Sequence, residues 1–217
     1  MKYLLSFLFA TVFFYSCKNN KKENPDEDVV TPEVKIDSTL ITDSSWGFIN
    51  NKLNFSDLKV IYGEDNIKDE RICGPECIDS IDVTKVFPGT KNEAIVYWAD
   101  SAYHKKIGFI TTYSEGSGWH TTDSLKIGSS VKELLRLNGK GIRFSGFEWD
   151  YGGTIISYNN GKFEKSPVNF ELEKRYQEND TSMALMGDIE LSSDSPEVQK
   201  EIDKIIIRKI SLSFNEQ

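Results

Sequence analysis

The chain has 217 residues, 38 per cent of them hydrophobic, with 26 Lys and Arg against 34 Asp and Glu, a formal net charge of −8. Removing residues 1–16 loses only Lys2 and takes the charge to −9. Such a body is repelled by phosphate backbones, which excludes nucleic acid as a partner.

In chain order, the first element is an apolar leader. Lys2 precedes 13 uncharged residues, Tyr3 to Tyr15. That length suits the apolar stretch of an export signal, whereas a spanning helix needs about 20 apolar residues. Ser16, a small residue, comes next, then Cys17 and the polar run Lys18-Asn19-Asn20-Lys21-Lys22. This arrangement resembles a bacterial lipoprotein processed by signal peptidase II. The resemblance implies a signal peptide over 1–16 and a diacylglycerol and N-acyl chain, palmitate for example, on Cys17. It implies a mature protein held to a membrane of the cell envelope. Two or three acyl chains anchor firmly where a single myristoyl chain does not. Lys18, in place of the Asp that favours inner-membrane retention in enterobacterial lipoproteins, points to the outer membrane, with the periplasmic or surface face left open.

Residues 18–45 contain Pro25 and Pro32 among crowded Lys, Asn, Glu and Asp. Too few apolar groups are present to offset the entropy of ordering. The stretch reads as a tether with a coil reach of about 30 Å, with Val29-Val30, Val34 and Ile36 able to add a strand near its end. Trp46 to Gln217 is then of single-domain size.

Within the body, Asn54 can cap a helix over 55–62 with Asp57 at its third position, and Gly63 suits the left-handed residue that ends it. Cys73 and Cys77 follow in Cys-Gly-Pro-Glu-Cys. An exported chain meets an oxidising environment, so a disulfide closing a small local loop is expected. The inserted Glu76 breaks the spacing of the thioredoxin motif Cys-Gly-Pro-Cys, and no strand leading into a helix precedes it. Strands are expected over 93–100, 106–113 and 119–126. Ser130 with Glu133 makes a capping box for a second helix over 131–138, which ends at Gly139. Strands follow over 142–150, 154–158, 162–164 and 168–174, with Asn160-Gly161 as a hairpin turn. In the tail, Ser195 or Asp194 caps a helix over 197–203 that starts at Pro196. A strand then runs over 205–214, its apolar face of Ile206, Ile210, Leu212 and Phe214 interrupted by Arg208.

Phe55 to Gly63 lines up with Val131 to Gly139, each a capped helix ending in Gly and followed by strands. The expected architecture is an α+β domain of antiparallel sheet, with half-repeats over 46–126 and 127–217 and a C-terminal helix and strand. Gly128-Ser129-Ser130, Glu133-Leu134 and Asn138-Gly139 make this pattern similar to the beta-lactamase-inhibitor-protein-like tandem fold and to small outer-membrane assembly lipoproteins. That resemblance implies protein binding by the concave face of the sheet and no chemistry.

The densest segment is 144–153, Phe-Ser-Gly-Phe-Glu-Trp-Asp-Tyr-Gly-Gly. On a strand, Phe147, Trp149 and Tyr151 share one face and Glu148 and Asp150 the other. The aromatics then enter the core, or Trp149 and Tyr151 form a partly exposed platform for a sugar or peptide. The carboxylates, roughly 7 Å apart, have the spacing of an inverting glycosidase pair. Other chemistry is poorly represented. Ser129-Ser130-Val131-Lys132 contains Ser-x-x-Lys, but the Lys-Thr-Gly that should follow is absent and the serines have a capping role. His104 and His120 are single and lack partners at zinc-ligand spacing. No Gly-x-Ser-x-Gly, phosphate loop or calcium loop occurs, so no catalytic set, metal site or cofactor is expected. The reading that results is a lipid-anchored, non-enzymatic module binding an envelope protein, peptide or glycan. The alternative is a glycan-cleaving envelope enzyme using Glu148 and Asp150.

Overall fold

The computed structural model describes residues 37–74, 77–100, 102–176 and 183–214. The leader, Cys17 and the tether as far as residue 36 lie outside the described residues. The chain is an α+β fold with mostly antiparallel sheets.

The body begins earlier than Trp46. Strand β1 (Leu40–Ile41) pairs in parallel with β6 (His120–Thr121), and Ile41 is fully buried beside Trp46 and Trp119, whose ring centres are 5.6 Å apart. Leu40 and Ile41, expected within the tether, pack into the body instead, because their apolar surface joins a core that a short window does not reveal.

Helix α1 (Phe55–Tyr62) starts at Asn54, whose side chain accepts from the amides of Ser56 and Asp57 while Asp57 accepts from the Asn54 amide at 3.0 Å. Here the capping box is complete. In helix α2 (Val131–Asn138) only one half forms, with Ser130 Oγ accepting from the Glu133 amide. Both helices end at glycines with positive φ, Gly63 and Gly139, the second in the left-handed well.

A six-stranded sheet carries the body. Strands β2 (Ile67–Cys73), β3 (Ser80–Val86), β4 (Ala94–Trp98) and β5 (Ile107–Thr112) form an antiparallel meander. Strand β11 (Ile205–Ser213) then lies between β5 and the last strand, β9 (Val168–Lys174). A separate three-stranded sheet has β7 (Arg143–Ser145) between β10 (Glu190–Ser192) and β8 (Ile155–Ser157). Strands that follow the second helix are thus divided between two sheets. Helix α3 (Pro196–Glu201), capped by Ser195, leads into β11. Leu58, Leu134 and Val198 from the three helices belong to one buried cluster with Val96, Ile110, Ile210 and Leu212.

The alternation of β11 changes phase. Opposite β9 the register shifts between Ile207 and Lys209, leaving Arg208 as an extra residue. A bulge reverses which residues face inward, so Ile205 and Ile207 before it and Ile210 and Leu212 after it are all fully buried. A single apolar face running through Ile206 is corrected accordingly.

Three strand expectations also change, and two strands are added. The 119–126 segment keeps only two ladder residues, 142–150 keeps three, and 162–164 is turn, whereas β2 and β3 were not foreseen. Asn159 and Asn160 have positive φ as a tight turn requires, but no strand follows them. The disulfide Cys73–Cys77 closes the β2–β3 connection, with Cα atoms 4.9 Å apart. A strand does precede Cys73, and it returns as a hairpin in place of the helix that thioredoxin-like chemistry needs.

Candidate functional site

The segment singled out for its aromatics is a bend. After β7, Phe147 is buried and makes one bridge to Met186, and residues 148–152 turn back so that Gly152 donates to the Trp149 carbonyl at 2.9 Å. Glu148 has φ of 62°, a left-handed conformation that a non-glycine side chain disfavours. The expected strand alternation of Phe147, Trp149 and Tyr151 against Glu148 and Asp150 is therefore corrected. With it goes the strand spacing that made Glu148 and Asp150 a glycosidase-like pair.

Glycines hold the bend to the sheet. A Cβ on Gly153 would lie 1.8 Å from the Leu172 carbonyl oxygen, and Gly153 has φ of +76°. Its close approach lets the Leu172 amide donate to the Gly153 carbonyl at 2.9 Å, while the Gly153 amide donates to Ser145 at 3.0 Å. The bend is thereby fastened to the edge of β9.

Against this edge lies a cleft of about 330 Å³ lined by Phe147, Glu148, Trp149, Glu173, Lys174 and Arg208, among others. Trp149 is pinned by its indole N–H, which donates to the Gly146 carbonyl at 2.8 Å, and by an edge-to-face contact with Tyr151, ring centres 5.4 Å apart. Tyr151 is 58 per cent exposed and Trp149 half-buried. A rigid indole and an exposed phenol give stacking area at little cost in conformational entropy. Glu148 and Asp150 are both exposed, but only Glu148 lines the cleft.

The ionic groups on the sheet side were not anticipated, apart from Arg208 as an interruption. Arg208 and Lys209 both pair with the nearly buried Glu171, and the Arg208 guanidinium also donates to the Gly152 carbonyl at 3.3 Å. The bulge at Arg208 makes this possible: it puts two successive cations within reach of one carboxylate. Lys174 has its side chain fully buried, 3.4 Å from Glu201. The sequence places Glu171 and Lys174 in a strand that alternates apolar and polar residues, which gives no sign that they are buried or of which groups meet.

The other singled-out residues take structural places. Ser129 Oγ accepts from the Lys126 amide, Ser130 caps α2, and Lys132 pairs with Asp203 at 2.6 Å. His104 Nδ1 is 3.6 Å from Asp69 and its ring stacks on Trp98, while His120 Nε2 is 3.5 Å from Asp37. Both carboxylates come from distant segments. Among the described residues no group of three His, Cys, Asp or Glu is arranged to hold a metal ion. On the sheet face opposite Val96 and Ile110, Tyr97 stacks on Phe109 with ring centres 4.1 Å apart. Burial pushes the Tyr97 hydroxyl up to about 12, with Tyr113 adding to it.

No protein-family model and no curated protein matches the sequence. Among solved structures, the chain is similar to the uncharacterized protein yfeY from Escherichia coli, at 12% identity and a TM-score of 0.45, covering 81% of this chain and 99% of that one.

Proposed function

We propose that this chain is a lipid-anchored lipoprotein of the cell envelope, held by Cys17, that works by binding an envelope protein, peptide or glycan and does no chemistry of its own. The localisation reading rests on the leader, Ser16-Cys17 and the polar run behind them. Lys18 favours the outer membrane. The binding reading rests on one observation above all: a half-buried Trp149 lines a cleft, and the exposed ring of Tyr151 packs against it. Fixed aromatic surface with a polar tip is what peptide and sugar recognition uses.

Two measurements test the proposal. Cys17→Ala should release the protein from membranes or leave it as uncleaved precursor, and unchanged fractionation and mass would refute the anchor. Captures from envelope extracts should lose a partner when Trp149 and Tyr151 are both replaced by Ala. An identical set of captured molecules rules out this patch as the binding surface.

A further inference from the structure

Helix α1 presents apolar side chains outward at its C-terminal turn: Val60 is 85 per cent exposed and Ile61 40 per cent. Phe48, 42 per cent exposed, lies at the same end of the helix, because its ring meets that of Tyr62, the residue after Ile61, with centres 6.5 Å apart. Isolated exposed apolar residues need no explanation, whereas three gathered at one helix end invite a partner.

The position of this group identifies the partner. Phe48 follows Gly47, whose amide donates to the Leu40 carbonyl at 2.8 Å, so Phe48 sits beside the segment by which the chain enters the body. The adjoining Thr39 accepts from the His120 amide, and nearby Gly118 donates to Asn92 in the β3–β4 connection. Tyr62 packs edge-to-face on Phe87, which opens that same connection. The outer end of α1 and the root of the tether therefore lie at one end of the sheet. From Cys17 to residue 37 only residues 18–36 intervene. These 19 residues can span at most about 65 Å.

We propose that Phe48, Val60 and Ile61 rest on the lipid bilayer that holds Cys17, setting the body with this end down. The inference depends on the anchor proposed above. A patch of three side chains binds a membrane weakly by itself, but a short tether raises its effective concentration to about the millimolar range, where weak contact suffices. Next to Val60 in the chain, Lys59 pairs with Glu64 at 3.7 Å. Mixed signs give little attraction to anionic lipid, so apolar insertion carries the contact and added salt leaves it in place.

The test uses the full lipidated chain in vesicles of phosphatidylethanolamine and phosphatidylglycerol whose acyl chains carry a brominated quencher. Cys17 is acylated and Cys73 is bonded to Cys77, so Val60→Cys supplies a single thiol for a fluorophore. Tyr103→Cys is the control. It is 73 per cent exposed in the β4–β5 loop, at the opposite end of the sheet, where the His104 carbonyl accepts from Phe55 at the start of α1. A fluorophore at position 60 should be quenched about twofold or more over one at 103, equally in low and high salt. Flotation of the protein with equal quenching at both positions overturns this inference and leaves the anchor standing. Absence of the protein from floated vesicles overturns both.

Discussion

Gly153→Ala probes the contact on which the candidate site depends. Two costs are expected. The first is conformational: at φ +76° an alanine takes the left-handed penalty of about 1–2 kcal/mol. The second is steric: the new Cβ would lie 1.8 Å from the Leu172 oxygen and 2.7 Å from its carbonyl carbon, so bend and strand must part. Parting them breaks the Leu172 to Gly153 bond and strains that from Gly153 to Ser145, each contributing about 1 kcal/mol. Stiffening of the unfolded chain returns about 0.5 kcal/mol. The net loss is about 3 kcal/mol. Gly139→Ala is the control, because Gly139 has φ +72° and no atom within 4 Å of its Cβ position; it should lose only about 1 kcal/mol. With a urea slope of about 2 kcal/mol/M, the midpoints fall by roughly 1.5 M and 0.5 M respectively. Quenching of tryptophan emission gives a second readout, since Trp46, Trp98 and Trp119 are buried and Trp149 is not. Equal midpoints for the two variants would refute the argument that backbone contact at Gly153 fastens the bend.

Three further outcomes are expected. Asn138 is buried, donates to the Lys140 and Tyr158 carbonyls and accepts from the Phe163 amide; Asn138→Ala should cost about 3 kcal/mol and lower the melting temperature by roughly 6–12 °C. An unchanged melting temperature would count against this hub. Burial raises Tyr62 and Tyr97 to about 12. The folded chain therefore holds these protons more tightly than the unfolded one, and their stabilisation, complete below pH 10, is lost as pH rises from about 10 to 12. Ultraviolet titration should reveal late-ionising phenols that join the ordinary ones in urea, and a single class in native protein would contradict it. Reducing Cys73–Cys77, which are separated by four positions, should cost about 2 kcal/mol by loop entropy while circular dichroism stays unchanged. Loss of the folded signal on reduction would show that the bond does more than close the hairpin.

Local chemistry was legible wherever it is settled by neighbours in sequence. Asn54 with Asp57, Ser130, Gly63 and Gly139 bound the two longer helices as expected, and β4 follows period-two alternation, whereas β11 alternates only on either side of its bulge. Strands β2 and β3 escaped notice because charge is spread over both faces of β2: Asp69 and Arg71 on one, Lys68 and Glu70 on the other. At the edge of a sheet such residues extend past the core and stay solvated. The opposite error occurred at 147–151, where alternating aromatics imitate a strand but Glu148 turns the backbone left-handed.

The candidate site was half legible. Its aromatics and glycines could be singled out from the sequence, whereas its ionic side could not. Glu171, Arg208 and Lys209 meet only because β9 and β11, 31 residues apart in the chain, pair with a one-residue shift. Caps, turn glycines, the alternation of β4 and the marks of a lipid anchor are all properties of residues close together in the chain, and are legible there. The sheet order, the division of later strands between two sheets, the bulge at Arg208 and the end of the body at which residue 37 lies emerge only in the fold. These depend on which distant segments bury their apolar faces together, and no local propensity encodes that choice.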